Sequence, residues 1–136
     1  MDFATSMTIA ASGMRSQTDR MRIIAENIAN ANSTSQAAGG DPYRRQVATV
    51  NSQFDRELGA TLVAPGKPQP DMSEFRKQYD PGNPAADKSG YVRMPNVNSL
   101  VEIMDMREAQ RSYEADLTVM DATKSMMART VDLLRR

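Results

Sequence analysis

Residues 3–32 read FATSMTIAASGMRSQTDRMRIIAENIANAN, and the spacing of the apolar side chains in this stretch decides the fold. Phe3, Met7, Ala10, Met14, Gln17, Met21, Ile24, Ile28 and Ala31 recur at alternating steps of four and three, with Gln17 the one polar member. Such steps put every member on one side of an α-helix, as the a and d positions of a heptad sustained for about four heptads. Asn30 and Asn32, followed by Ser33 and Thr34, are the expected end, because Asn tolerates the left-handed backbone that closes helices.

The other end of the chain repeats the design. Ile103, Met106, Gln110, Tyr113, Leu117, Met120, Lys124, Met127, Val131 and Leu134 again alternate steps of three and four. Gln110 and Lys124 are the polar exceptions. Ser99 with Glu102 fits the S-x-x-E capping box, which predicts a helix start near residue 99. Arg129, Arg135 and Arg136 gather where cations complement the helix dipole.

Between these flanks the chain changes character. All seven prolines, and every glycine except Gly13, fall between Gly39 and Pro95. Both flanks are therefore free of breakers, as helix interiors require. The expected division is a helix in 1–32, a loop and short-strand region in 33–98, and a helix in 99–136. Within the middle, Tyr43–Val50 alternates weakly and Gly59–Ala64 is a short apolar run. Phe75–Tyr79 and Tyr91–Met94 flank a turn-rich stretch, Asp80–Gly90, and predict a small hairpin. Residues 33–42 and 64–73 read as flexible connections. The fold class is mainly α, with two long helices and a β-hairpin-containing middle.

Helix length constrains the packing. At about 1.5 Å per residue the two helices run to roughly 42 and 55 Å. A compact globule of this size is only about 37 Å across. An elongated molecule is expected, its apolar seams meeting each other or other subunits, and periodicity alone leaves parallel and antiparallel pairing open. Isolated helices of this kind are marginal, so the unassembled chain is expected to be poorly helical.

Composition removes whole classes of function. The 136 residues carry 17 basic and 17 acidic side chains, which gives no electrostatic footprint for nucleic acid. Without cysteine or histidine there are no disulfides, ordinary zinc sites, thiol nucleophiles or histidine-based triads. No ionisable groups converge in the sequence of the middle region, so neither an enzyme nor a small-molecule substrate or cofactor is expected. No segment approaches the ~20 apolar residues of a membrane span. Ser6, Thr8, Ser12, Arg15, Gln17 and Asp19 interrupt the first twenty residues, so a cleaved signal peptide is not expected.

Several local features have two readings. Asp80, Asn83 and Asp87 resemble calcium ligands, but Pro81 and Pro84 break the required spacing and favour a turn. Tyr43-Arg44-Arg45 is isolated in a neutral chain, and reads as an inter-subunit contact or a solvated strand edge rather than a phosphate site. Nine of the eleven methionines lie in the flanks, where they either fill a core or adapt a surface to different neighbours. Gln17, Gln110 and Lys124 either sit where the seams meet solvent or fix register and partner choice. Gly13, at a helix-interior cost of about 1 kcal/mol, is either a tolerated defect or, the favoured reading, room for close approach of another helix.

Ser12-Gly13-Met14 with Ile24-Ala25-Glu26-Asn27-Ile28-Ala29-Asn30-Ala31-Asn32 resembles the N-terminal signature of the bacterial flagellar rod and hook proteins. The match departs at Glu26, where that signature carries Asn. Tyr79-Asp80-Pro81-Gly82-Asn83-Pro84, Gly90-Tyr91-Val92, Pro95-Asn96-Val97-Asn98 and Arg111-Ser112-Tyr113-Glu114-Ala115 narrow the resemblance to proximal-rod members. It spans nearly the whole chain, though residues 51–74 contribute little. The resemblance implies antiparallel pairing of the terminal helices as a coiled coil, and a structural place in the rod, the drive shaft that crosses the periplasm. As partners it implies other rod proteins, copies of this chain, the MS-ring/rod adaptor at the rod base and the flagellar type III export apparatus. The expected assembly interface combines the seam residues Met7, Met14, Met21, Ile24, Ile28, Met106, Tyr113, Leu117, Met120, Met127 and Val131 with Gly13. To these the signature adds Asn27, Asn30 and Asn32. The rival reading is a soluble coiled-coil adaptor that saturates its seams in a small closed oligomer.

Overall fold

The computed structural model describes residues 2–135. Helix α1 spans Phe3–Ala29 and helix α2 spans Ser99–Leu134, 27 and 36 residues, a little under half of the chain. Six short strands lie between them: β1 (Gln46–Val47), β2 (Val50–Asp55), β3 (Ala60–Pro65), β4 (Gln69–Pro70), β5 (Arg76–Tyr79) and β6 (Tyr91–Met94). The mainly helical expectation is therefore met in part, because the middle holds three two-stranded antiparallel ladders rather than one hairpin. Among the described residues, no helix is long and apolar enough to cross a membrane.

The helix ends differ from expectation in ways local chemistry explains. No described non-glycine residue has a positive φ, so α1 does not close on a left-handed Asn. Instead the chain tightens: Ala31 N–H donates to the Ile28 carbonyl at 3.2 Å and Ser33 N–H to that of Asn30 at 3.1 Å. The Asn30 side-chain amide turns back to the Glu26 carbonyl at 2.9 Å, a second donor to an acceptor that already takes the Asn30 backbone N–H. Helix α2 begins at the expected place with a different cap. Asn98 Oδ1 accepts from Leu100 N–H at 3.1 Å and its carbonyl from Glu102 N–H at 3.0 Å. Glu102, freed from a capping box, is turned into the interior. The last turn of α2 holds no cation; Arg135 follows it, and Arg136 lies outside the described residues.

The strands pair as local sequence permits. β2 and β3 form a hairpin from Val50↔Pro65 to Asp55↔Ala60. In its loop Asp55 Oδ1 accepts from Glu57 and Leu58 N–H, and Gly59 takes a φ of 60° that disfavours other residues. β5 and β6 pair from Arg76↔Met94 to Tyr79↔Tyr91, with the two tyrosine rings edge-on at 5.2 Å. β1 and β4 contribute only Gln46↔Pro70 and Val47↔Gln69. The predicted runs at 59–64, 75–79 and 91–94 thus appear as strands. β2 and β4 were not predicted: β2 carries one polar face, Asn51, Gln53 and Asp55, and β4 is held only by its partner. In the turn after β5, Asp80 Oδ2 accepts from the Asn83 amide, Asn83 Oδ1 from Ala85 N–H, and Asp87 Oδ1 from Ser89 and Tyr91 N–H. These oxygens are used in turning the chain.

The chain divides into two compact units. The first comprises Met1–Met21, Ala48–Lys67 and Arg107–Arg136. Its fully buried side chains are all small: Ala10, Ser12, Ser16, Ala109 and Thr123. Ser12 Oγ donates to the Ile9 carbonyl and accepts from Val63 N–H at 3.2 Å, which ties β3 to α1. A Cβ at Gly13 would lie 2.5 Å from Asp116 Oδ2, so the glycine makes room for a carboxylate on α2 rather than for backbone. Arg20 reaches Glu108 at 3.4 Å.

The second unit comprises Arg22–Val47 and Pro68–Met106. Ile23, Ile24, Ala31, Ala85, Val92, Pro95 and Val97 form its apolar core. The stretch read as a flexible connection at 33–42 is held at its end: Gly39 N–H donates to the Ala85 carbonyl, and Arg93 bonds the Gly39 carbonyl and the Asp41 carboxylate.

Candidate assembly surface

The stripe that reads as one seam in α2 separates into two in the folded chain. Its deepest line is Glu102, Ala109, Asp116 and Thr123, a strict seven-residue repeat one position before Ile103, Gln110, Leu117 and Lys124. Successive helical residues are about 100° apart, so the apolar line faces a different direction from the buried one. Met106, Tyr113 and Met120 lie on the shared flank and are half-buried, whereas Ile103 and Leu117 are exposed. Gln110 and Lys124 are exposed too.

Beyond Thr123, α2 buries nothing. Every described residue from Lys124 to Arg135 is exposed, and among them are Met126, Met127 and Val131. Leu133 and Leu134 are 74% and 82% exposed. Single exposed apolar residues are ordinary, but a helical run with five of them in nine positions is denser than ordinary surface scatter. On the hairpin, Val50 and Phe54 are exposed on the same face of β2.

Helix α1 is covered more evenly. Met7, Gly13, Met14, Met21, Ile28 and Asn30 are half-buried, Ile24 is buried, and Asn32 is exposed. Gln17 carries a buried Oε1 that no donor among the described residues reaches. Glu26, the departure from the signature, pairs with Arg22 one turn back at 2.6 Å on an exposed face.

Asn27 has a different place. It is 1% exposed, and its amide donates to the Gln46 carbonyl at 2.8 Å and to Glu102 Oε2 at 3.0 Å. Its Oδ1 accepts from Tyr43 O–H at 2.8 Å and Gln46 N–H at 2.9 Å. All four hydrogen-bonding positions of the side chain are therefore filled. Glu102, 0% exposed, also accepts from Arg45 Nε at 2.5 Å. Arg45 faces Asp71 at 3.5 Å and Asp105 at 3.6 Å, and its backbone N–H donates to Asn96 Oδ1. Burial works against the charge of Arg45, but the bond and charge of Glu102, with Asp71 and Asp105, outweigh it and raise its pKa. Burial, then Glu26 and Glu102, push the Tyr43 phenol up, which keeps it a neutral donor.

Tyr43-Arg44-Arg45 is thus bonded within its own chain rather than a merely solvated edge. Arg44 completes the picture: it donates to the Asp71 and Ser73 carbonyls and lies 4.2 Å above the Phe75 ring. The sequence reading missed this network. Its one visible signal was a basic pair in a neutral chain, to be matched with acids elsewhere.

Residues 88–133, which include nearly all of α2, match the family described as "Flagellar basal body rod FlgEFG protein C-terminal". The flagellar basal-body rod protein FlgC of Agrobacterium fabrum is 51% identical over 127 residues, covering 93% of this chain and 91% of its own. That of Yersinia enterocolitica is 39% identical over 98% of both chains, and that of Aquifex aeolicus 36% identical over 97% of both. The chain belongs to the FlgC family of flagellar basal-body rod proteins.

Proposed function

We propose that the chain is a subunit of the proximal rod, assembling helically with copies of itself and with other rod proteins into the drive shaft that carries motor torque. Family membership already makes it a structural protein of the flagellar basal body rather than an enzyme, and does not favour a closed-oligomer adaptor. The observation that carries the proposal is the apolar face of α2 from Lys124 to Arg135, every residue of which is exposed in the single chain. Heterologous contacts through such a face, repeated without closing, build a filament. Many distributed helix contacts resist twist, so torque passes along the shaft without chemistry.

An antiparallel coiled coil of the terminal helices belongs to the same proposal. It is supported by contacts of Gly13 with Asp116, Arg20 with Glu108 and Asn27 with Glu102, whose numbers rise along α1 as they fall along α2. Met7, Met14, Met21 and Ile28 on α1, with Leu117, Met127 and Val131 on α2, are the interface residues; methionine suits a surface that meets several neighbours. The rod lies in the periplasmic space, with the MS-ring adaptor at its base. Delivery is by the flagellar type III export apparatus.

The test is Val131→Asp with Leu134→Asp. The isolated chain should keep its helical circular dichroism and thermal midpoint, while rods and motility are lost. Motile cells carrying both changes would exclude the face from assembly. A stable dimer of the isolated parent chain, independent of concentration and of other rod proteins, would instead favour the adaptor.

A further inference from the structure

We infer that Asn27, Tyr43, Arg45 and Glu102 form a conditional lock, through which the two helices close in the second unit only when residues 43–47 have docked. The geometry requires it in two steps. Asn27 on α1 and Glu102 on α2 touch each other at 3.0 Å, and both are removed from solvent, at 1% and 0% exposure. A carboxylate and an amide facing each other cannot satisfy one another: one N–H of Asn27 serves one Glu102 oxygen, and the negative charge remains. An uncompensated buried charge opposes the packing that buries it.

The compensation comes from the middle segment alone. Arg45 supplies the cation to Glu102, Gln46 supplies a backbone donor and acceptor to Asn27, and Tyr43 supplies its hydroxyl. No group of either helix takes these places among the bonds that Asn27 and Glu102 make within the described residues. A chain whose middle is extended would therefore present Asn27 and Glu102 as polar breaks in the helix pair, and zipping from the helices alone would stop there. Docking of residues 43–47 converts the same two side chains from breaks into the most connected point of the unit. Buried polar groups are well suited to this use, since they penalise every arrangement but one.

The experiment measures amide hydrogen exchange on four forms of the full chain: the parent, Arg45→Met, Asn27→Leu/Glu102→Met, and the triple combination. In the parent, amides of residues 22–28 and 100–106 should open together with those of 43–47. Arg45→Met should cut helix protection by about a hundredfold or more, as expected when a buried carboxylate loses its cation. In the Asn27→Leu/Glu102→Met form the helices should close unaided, and adding Arg45→Met should change their protection less than about threefold, the range of ordinary surface changes. The inference is overturned if Arg45→Met leaves the parent helices protected. It is equally overturned if Arg45→Met costs the apolar form as much as the parent, or if the apolar form fails to close its helices. Self-association plays no part in these readings, so they stand apart from the assembly test.

Discussion

The two units bury different things. The second encloses Ile23, Ile24, Val92 and Val97 around a buried Asn and Glu whose bonds all find partners. The first encloses only Ala, Ser and Thr side chains, and leaves Leu117, Val119, Met126, Met127, Val131, Leu133 and Leu134 outside. Large apolar side chains are the main source of burial energy, at about 1.5–3 kcal/mol each. The second unit therefore rests on buried large side chains, although it too exposes Leu100, Val101, Ile103 and Met104, while the first buries none of its large apolar side chains fully. The comparison also revises the expected weakness of the unassembled helices. It should be confined to α2 beyond Thr123, where a run of this length with nothing packed on it is marginal.

The contrast breaks most directly at Asn27. Asn27→Leu strips Tyr43, Gln46 and Glu102 of bonds and should lower unfolding stability of the second unit by about 3 kcal/mol. Amide exchange across residues 22–47 reads this. The matching change in the first unit, Ser12→Ala, removes the acceptor of Val63 N–H and the local hydroxyl bond to the Ile9 carbonyl, and should cost about 1 kcal/mol. Equal losses at the two sites would erase the distinction. Gln17→Met offers the reverse sign. Its Oε1 is buried without a donor, so an apolar replacement should raise the urea midpoint, by about 1 kcal/mol in stability.

Titration should sharpen the comparison by smaller amounts. The Tyr43 phenol is raised above its usual 10.0, so its proton leaves the unfolded chain first. Stability of the second unit is then retained below pH 10 and lost above it, and Tyr43→Phe should flatten that alkaline slope. Asp71 and Asp87 shift the other way. Bonds from Ser73 hold Asp71 below 3.8, and bonds from Tyr91 and Ser89 do the same for Asp87. Their contribution is present above that pH and is lost as pH falls through the lower folded value, seen as acid loosening of the second unit. The smallest effect is expected at Leu133→Ser/Leu134→Ser. Thermal melting of the isolated chain should move within about 0.5 kcal/mol, since neither side chain packs on anything. A larger loss would mean that the chain covers its own tail.

Sequence alone revealed what is periodic or punctuated. Alternating steps located both helices, Ser99 was the first residue of α2, and the proline-rich turn at Asp80–Gly90 marked the β5–β6 hairpin. It did not reveal what depends on partners far along the chain. Glu102 looked like a cap because Ser99 stands three residues before it, yet Arg45, 57 positions away, draws it inward. The apolar series of α2 was visible, but not that the chain packs the adjacent line of Ala109 and Thr123, half-covers Met106, Tyr113 and Met120, and leaves Ile103, Leu117, Met127, Val131 and Leu134 open. Strand β2 escaped notice because four of its six residues are polar and its register is set by β3.

The most direct measurement is a cryo-electron-microscopy density of isolated basal bodies in which this chain is traced. Met127, Val131, Leu133 and Leu134 should be buried against neighbouring rod subunits, with Asn27 and Glu102 still enclosed by their own chain. Those four side chains facing solvent in the assembled rod would contradict the proposed role of α2.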